Sequence, residues 1–389
     1  MKTRCLECLG CLRCLGCVAF LAVSAVAFVS AQARPRARDL GVAPGVFQPG
    51  PLNAITDVDG VRVGHVTLVE GDDVRTGVTA VVPHGGNLFQ DKVAGSVFVG
   101  NAFGKLAGST QVNELGTIET PIVLTNTLSV GVAVDAVVRY TLAQPGNEQV
   151  RSVNALVGET NDGGLNDIRG LHVRTAHVLD AIRGATAGPV AEGSVGAGTG
   201  TINYGWKGGI GTSSRVVRNY RLGVLAQTNF GGNLTIVGVP IFKSLQPPGR
   251  RGDNADLYPI ARDQRAAGDG SCMLVVATDA PIDARDLHRL AARAVFGLAR
   301  TGSSYSNGSG DFAVAFTTSP EMRSRFNDTA ARPRQVLPPD AMSPLFEAAL
   351  EATEEAVYNA LFQATTVTSR FGTAEAIPID RVRELLNRR

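Results

Sequence analysis

Cysteine is almost absent from this sequence beyond its N-terminus, and this absence excludes a fold that depends on disulfides. Five of the six cysteines lie within the first 17 residues, in a segment expected to be removed, and only Cys272 remains. Tryptophan occurs once and methionine four times, whereas hydrophobic residues make up 44% of the chain. The protein must therefore be held together by an aliphatic core.

An excess of charge of one sign is also lacking. Beyond residue 33 the chain carries 34 basic and 34 acidic residues, so binding of nucleic acid through net charge is not expected. The five histidines form no HExxH motif, and the closest two, His172 and His177, are five positions apart, on different faces of a helix. No dinucleotide-binding or Walker loop is present. We therefore expect no metal and no cofactor.

The apolar run at residues 18–29 is too short for a membrane span, which needs roughly 20 residues. It follows the basic residues Lys2 and Arg4 and precedes small residues at 30–33. This order is typical of a secretory signal peptide, cleaved after Ala31 or Ala33. Residues 1–33 are therefore predicted to direct the protein to the periplasm or the medium, with no membrane contact after their removal. An uncleaved anchor is the alternative.

The remaining chain mixes the patterns of strands and helices. Alternating or continuous apolar stretches predict strands at 61–68, 79–82, 96–99, 122–124, 156–157, 224–227, 234–239 and 271–278. Helical periodicity predicts helices at 131–142, 173–182 and 283–299, and another that starts at Ser343. This mixture indicates an α/β or α+β fold. The Pro- and Gly-rich residues 34–51 are expected to form a poorly ordered arm, and 244–270 a long functional or mobile loop.

The end of that loop carries a candidate nucleophile. No serine is paired with a histidine by any recognisable motif, but a serine can also be activated by its own α-amine once the preceding peptide bond is broken. Such an amine has a pKa of about 8 and accepts the hydroxyl proton near neutral pH. Gly270 and Ser271 stand between the loop and an apolar strand, as self-cleavage would require. An ordinary turn into a strand is the alternative interpretation.

Ten motifs resemble, in order, those of the bacterial L-aminopeptidase D-amidase/D-esterase family, which includes the β-peptidyl aminopeptidases. They lie at residues 53–58, 61–66, 75–80, 104–111, 114–121, 159–163, 207–215, 227–231, 268–271 and 307–311. The resemblance implies a four-layer α/β/β/α sandwich similar to the N-terminal-nucleophile hydrolases. It also implies one catalytic domain, 34–389, that cleaves itself into chains 34–270 and 271–389. These chains stay together, and a homo-oligomer, a tetramer, is expected.

The resemblance assigns a role to each matching residue. Ser271 corresponds to the nucleophile and, with Gly270, to the cleavage site, and Asn229 to the amide that binds the oxyanion. Ser309 and Asp311 correspond to a hydroxyl and a carboxylate that orient the nucleophile and its ammonium group. Glu159 corresponds to the carboxylate that binds the free amine of the substrate.

One position departs from the pattern of some family members, which carry a tyrosine two residues after the glutamate. Asn161 stands there, so a second oxyanion donor would be Asn161 itself, counted with the substrate-binding residues, or another group such as Tyr204.

The sequence thus predicts an exported serine aminopeptidase that processes itself. Its expected substrates are amides, esters or short peptides with a free N-terminal amine. Two alternatives are an acyltransferase of the ornithine acetyltransferase type and a non-catalytic binding protein on the same fold. Ser271 argues against the first, because that family uses threonine, and the intact set of site residues argues against the second.

Overall fold

The computed structural model of the protein describes residues 34–248 and 270–388, which contain two large β-sheets. The first sheet has the strand order β1 (Arg62–Glu70), β2 (Val74–Val82), β6 (Ile122–Asn126), β7 (Leu156–Thr160) and β4 (Leu106–Ala107). The second has the order β10 (Gly209–Val217), β11 (Tyr220–Asn229), β12 (Ser271–Thr278), β13 (Gly310–Thr317), β3 (Asp91–Ala102) and β14 (Ser324–Arg325), and β5 (Thr117–Ile118) pairs with β3. The expected signal peptide and most of the 244–270 loop lie outside the described residues.

Two short hairpins lie apart from these sheets: β8 (Ile202–Asn203) with β9 (Trp206–Lys207), and β15 (Val367–Ser369) with β16 (Gly372–Ala374). The helices are α1 (Ser109–Leu115), α2 (Val130–Leu142), α3 (Thr175–Arg183), α4 (Ala284–Arg300), α5 (Ser343–Gln363) and α6 (Ile379–Leu386). Helices α2 and α3 pack on the first sheet, whereas α4 and α5 pack on the second.

The side chains of β12 show how the two sheets stack. Met273 and Val275 pack in the core between the sheets, while Cys272 and Leu274 pack in the core beneath α4 and α5. All eight residues of the strand are buried, which explains its continuous apolar sequence. A third core lies between the first sheet and helices α2 and α3. The layers therefore run helix, sheet, sheet, helix, and the four-layer α/β/β/α sandwich is confirmed.

The strongest local signals predicted their elements well. The helix expected at 283–299 is α4, and the Asp283 carboxylate accepts a hydrogen bond from the Asp286 N–H at 2.9 Å, as the capping pattern indicated. The strand expected at 234–239 is wrong. Only an isolated pairing of Ile236 with Val239 forms there, because the segment turns back on itself within four residues.

The prediction of a poorly ordered arm at 34–51 is also wrong. Ala37 is fully buried, and its N–H donates to the Asn359 side chain at 2.8 Å. The Arg34 guanidinium donates to the Phe362 carbonyl at 2.6 Å. These partners lie on α5, more than 300 residues away in the chain, so composition alone gave no sign of them.

A buried ion cluster joins the part of the chain before Ser271 to the part after it. Arg215 on β10 is fully buried and lies 3.1 Å from a Glu351 carboxylate oxygen and 2.8 Å from one of Glu355, both on α5. Arg38 from the arm pairs with Glu355 at 2.9 Å. These contacts would hold the two products of cleavage together.

Replacement of this buried guanidinium is expected to destabilise the protein strongly. In Arg215→Met, two buried carboxylates lose their main cation, and breaking a buried pair in this way typically removes about 3–5 kcal/mol of stability. Urea unfolding in a Ser271→Ala background, where the chain is expected to stay intact, measures the loss. Arg139→Met, which removes an exposed helical pair with Asp135, is the control and should leave the midpoint unchanged. Equal midpoints for the two variants would contradict this role of Arg215.

Candidate active site

Ser271 and Asn229 lie side by side at the ends of two neighbouring strands. Asn229 is the last residue of β11 and Ser271 the first of β12, and the antiparallel register pairs them directly. Ser271 is in phase with Met273 and Val275, so its side chain belongs to the face that looks toward the first sheet. Both residues are largely buried. The expected nucleophile and the expected oxyanion amide thus share one end of the second sheet.

Gly270 precedes the expected nucleophile at a point where no side chain fits. A methyl group on its Cα would lie 2.1 Å from the Asn229 carbonyl oxygen and 2.5 Å from the Phe230 Cα. Glycine is required here because the backbone of Asn229 and Phe230 passes so closely.

The amide of Asn229 is held in one orientation. Its Oδ1 accepts a hydrogen bond from the Ile202 N–H at 3.0 Å, which leaves Nδ2 as the group that donates to a ligand. Nearby, the Lys207 side chain is fully buried and donates hydrogen bonds to the carbonyls of Gly198 and Gly208 at 2.8 and 2.7 Å. These bonds connect the backbone at residue 198 to the backbone at residue 208. Burial lowers the pKa of Lys207 to about 7, although the charge of Asp162 raises it. The 207–215 motif contained this lysine, but gave no hint that it is buried.

Strand β13 brings the third part of the site. It runs parallel to β12, with Gly310 opposite Ser271 and Asp311 opposite Cys272. The Gly310 N–H lies 3.3 Å from the Ser271 Oγ and 3.1 Å from the Gly270 carbonyl oxygen. Ser309, directly before it, is buried. The sequence pointed to the side chains on either side of Gly310 and not to this backbone group.

Asp311 is a buried carboxylate that pairs with no cation among the described residues. Neither of its oxygens has a well-aligned hydrogen-bond partner within residues 34–248 and 270–388. Burial raises its pKa to about 6, while the Ser309 hydroxyl and the Cys272 N–H, which lie nearby, lower it in part. A buried carboxylate of this kind favours a bound ammonium group, and Cys272, the residue opposite Asp311, directly follows Ser271.

Glu159 lies in the first sheet and approaches these residues by way of the backbone at Gly104. It lies in β7, is only 2% exposed, and its Oε1 accepts the Lys105 N–H at 2.9 Å. The Lys105 ammonium, on a half-exposed side chain, lies 3.4 Å from the same oxygen. A methyl group on Gly104 would be 3.3 Å from Oε1 and 3.2 Å from the Gly310 Cα. The backbone at Gly104 therefore lies between Glu159 and the start of β13, which carries Gly310 and Asp311.

Asn161 and Tyr204, the two candidates for a second oxyanion donor, form hydrogen bonds with residues outside the expected site. Asn161 is exposed, and its Oδ1 accepts the Gly163 N–H at 2.9 Å in a local turn. Tyr204 is buried, and its hydroxyl is hydrogen-bonded to the Thr301 hydroxyl at 2.6 Å. Burial raises the pKa of Tyr204 well above its ordinary value. The identity of a second oxyanion donor stays a prediction.

Within the described parts of the chain, no group of three or more His, Cys, Asp or Glu side chains is arranged to hold a metal ion. In residues 34–248 and 270–388, no helix is both long enough and apolar enough to cross a membrane.

A buried serine begins a central strand of a four-layer α/β/β/α sandwich, a layer order similar to that of the N-terminal-nucleophile hydrolases. Comparison with known proteins agrees with this class. Residues 53–374 match peptidase family S58, and the chain belongs to this family. It is therefore a serine aminopeptidase, which confirms the resemblance seen in the motifs and favours the hydrolase over the acyltransferase and the non-catalytic protein.

Three similar proteins cover most of the chain. The β-peptidyl aminopeptidase BapA of Sphingosinicella microcystinivorans is 42% identical over 374 residues, which are 91% of this chain and 92% of the relative. A crystal structure of a Pyrococcus horikoshii OT3 protein has a TM-score of 0.82 at 44% identity and covers 91% of this chain and 99% of its own. The L-aminopeptidase D-Ala-esterase/amidase of Ochrobactrum anthropi has a TM-score of 0.81 at 35% identity with the same coverage. That structure is described as a variant of the Ntn hydrolase fold.

Proposed function

We propose that the protein cleaves its own Gly270–Ser271 bond and then uses Ser271 to hydrolyse substrates with a free N-terminal amine. The main support for this proposal is the buried carboxylate of Asp311 on the strand next to Ser271, which has no cation partner in the part of the chain that the structure describes. An α-ammonium group created at Ser271 by cleavage would supply the cation that this carboxylate lacks.

The positions of the groups suggest the order of events in turnover. The free α-amine of Ser271 takes the hydroxyl proton, and Oγ attacks the carbonyl carbon of the substrate. The oxyanion that forms accepts a hydrogen bond from the Asn229 Nδ2, already oriented by Ile202. The proton then passes to the leaving amine, and water hydrolyses the ester on Ser271. Asp311, with the hydroxyl of Ser309 beside it, holds the α-amine in place.

Glu159 is the group that we expect to bind the amine of the substrate. Its carboxylate is almost fully buried, and Oε1 already accepts the Lys105 N–H, so Oε2 is available to a cation. The Lys105 ammonium is near the same carboxylate, and its half-exposed side chain can move aside into water. A charged N-terminus that enters this site would exchange its hydration for an ion pair.

Glu159→Gln is expected to lower kcat/KM for free-amine substrates by roughly 10- to 150-fold, since a charge-assisted hydrogen bond is worth about 1.5–3 kcal/mol. Self-cleavage needs no substrate amine, so the variant should still split into two chains. Steady-state kinetics on an amino acid p-nitroanilide and a denaturing gel measure the two effects. Glu114→Gln, at an exposed position, is the matched control. Unchanged kinetics in Glu159→Gln would remove this residue from amine binding.

The names of the relatives suggest which substrates to test first. Two relatives at 42% and 38% identity are β-peptidyl aminopeptidases, and a Burkholderia structure at 38% identity is a β-aminopeptidase. We therefore propose amides and short peptides with an N-terminal β-amino acid as the leading substrates, with L-amino acid amides and D-amino acid esters as the comparison.

Export and assembly belong to the same proposal. Residues 1–33 would direct the chain out of the cytoplasm, which places the mature enzyme in the periplasm or the medium. The two chains would stay associated through the pairing of β12 with β11 and through the ion pairs of Arg215 with Glu351 and Glu355. The assembly is expected to be a tetramer. Cell fractionation and light scattering after size-exclusion chromatography test these points.

A further inference from the structure

The carbonyl of the bond to be cleaved points away from Asn229. Its oxygen, on Gly270, accepts the Gly310 N–H of β13 at 3.1 Å. Strand β12 lies between β11 and β13, so Asn229, on β11, is on the opposite side of the chain from this carbonyl. The amide suited to the oxyanion of an incoming substrate is therefore poorly placed for the oxyanion of self-cleavage.

We propose that the Gly310 N–H, and not Asn229, stabilises the oxyanion that forms when the chain cleaves itself. This inference rests on the proposed self-processing and assigns a separate donor to each of the two reactions of Ser271. The same N–H lies 3.3 Å from the Ser271 Oγ, so it is close to both the attacking atom and the carbonyl that is attacked.

The chemistry of self-cleavage determines where a hydrogen-bond donor to the oxyanion must lie. The Ser271 Oγ bonds to the Gly270 carbonyl carbon, and the π electron pair moves onto the carbonyl oxygen, where Gly310 donates. The carbon–nitrogen bond then breaks, and the proton lost from Oγ ends on the Ser271 nitrogen, which leaves an ester between Gly270 and Ser271. Water adds to this ester and releases the Gly270 carboxylate and the Ser271 hydroxyl. Because the Gly310 N–H is already in position before the reaction starts, it needs no reorganisation to stabilise the negative charge on the carbonyl oxygen.

Close packing fixes the position of this N–H. A methyl group on Gly310 would lie 2.8 Å from the Phe103 carbonyl oxygen and 3.0 Å from the Gly104 Cα. The Phe103 N–H donates to the Ser309 carbonyl at 3.0 Å, which anchors the residue before Gly310. The backbone of 103–104 therefore holds β13 against the cleavage site from the side opposite β12.

Replacement of Gly310 by glycolic acid tests the proposal, because it exchanges the N–H for an oxygen and changes no side chain. The substituted chain can be made by nonsense suppression in cell-free translation, and a gel follows the splitting of the full-length chain with time. We expect cleavage at least about 100-fold slower than in the wild type, the usual effect of losing one oxyanion donor. Replacement of Ala315 by lactic acid, farther along the same strand, is the control and should cleave at the wild-type rate.

A second variant tests the other half of the proposal. Asn229→Ala should still split within about threefold of the wild-type rate, although its turnover should be impaired. Glycolic acid at 310 with normal cleavage, or a folded Asn229→Ala that remains one chain, would overturn the assignment of Gly310. Failure of the wild-type chain to split would instead overturn self-processing itself, so the two failures are distinguishable. Resistance of the uncleaved chains to dilute protease shows that they are folded.

Discussion

Purified Ser271→Ala is expected to remain a single chain and to have no measurable peptidase activity. The substitution removes the proposed nucleophile, Oγ at the buried start of β12, and with it both proposed reactions. The wild type should separate into a C-terminal chain of about 12 kDa from Ser271 and an N-terminal chain of about 25 kDa. Intact-mass spectrometry distinguishes these outcomes directly.

A matched variant shows whether the nucleophile or the packing is responsible. Ser271→Cys keeps a nucleophilic atom on a side chain of similar size and is expected to split, whereas Ser271→Ala is not. A purified Ser271→Ala that still separates between Gly270 and Ser271 would show that another protease or another group cuts the bond.

Asn229→Ala should reduce kcat by about 10²–10³-fold and leave KM nearly unchanged. In the proposed role, Nδ2 donates to charge that exists only in the transition state, so its loss should weaken substrate binding very little. The orientation of the amide by the Ile202 N–H makes this donor available without rearrangement. Steady-state kinetics on the processed protein measure the effect.

Asn233→Ala, at an exposed position four residues farther along the chain, is the control for this experiment and should retain wild-type kinetics. An unchanged kcat in processed Asn229→Ala would exclude Asn229 as the oxyanion donor. A rise in KM alone would assign it to ground-state substrate binding instead.

Local patterns were sufficient for the elements that depend on local interactions. The capping residue Asp283 and the apolar face behind it predicted α4 to within one residue at each end. The apolar sequence after Gly270 predicted β12 with its bounds as observed. In both elements the side chains that determine the structure are close together in sequence, so their pattern is sufficient to predict the element.

Contacts between distant residues could not be predicted in the same way. Ala37 and Arg34 become ordered by partners on α5, and Lys207 is buried by carbonyls of a loop that no periodicity describes. The four-layer arrangement and the roles of Glu159 and Asn229 came from the resemblance to a family, because strand register and sheet stacking depend on long-range pairing. The Gly310 N–H was missed because a backbone donor has no signature in the sequence.

Recognition of a free N-terminal amine can be tested by comparing two substrates. The wild-type protein is assayed on an amino acid p-nitroanilide and on its N-acetylated form, which differ only at the group expected to meet Glu159. An acetyl group leaves this buried carboxylate without a cation, so we predict hydrolysis of the free-amine substrate and at least about a 10-fold lower kcat/KM for the acetylated one. Equal values of kcat/KM for the two substrates would contradict the proposal that the enzyme binds the free amine of its substrate.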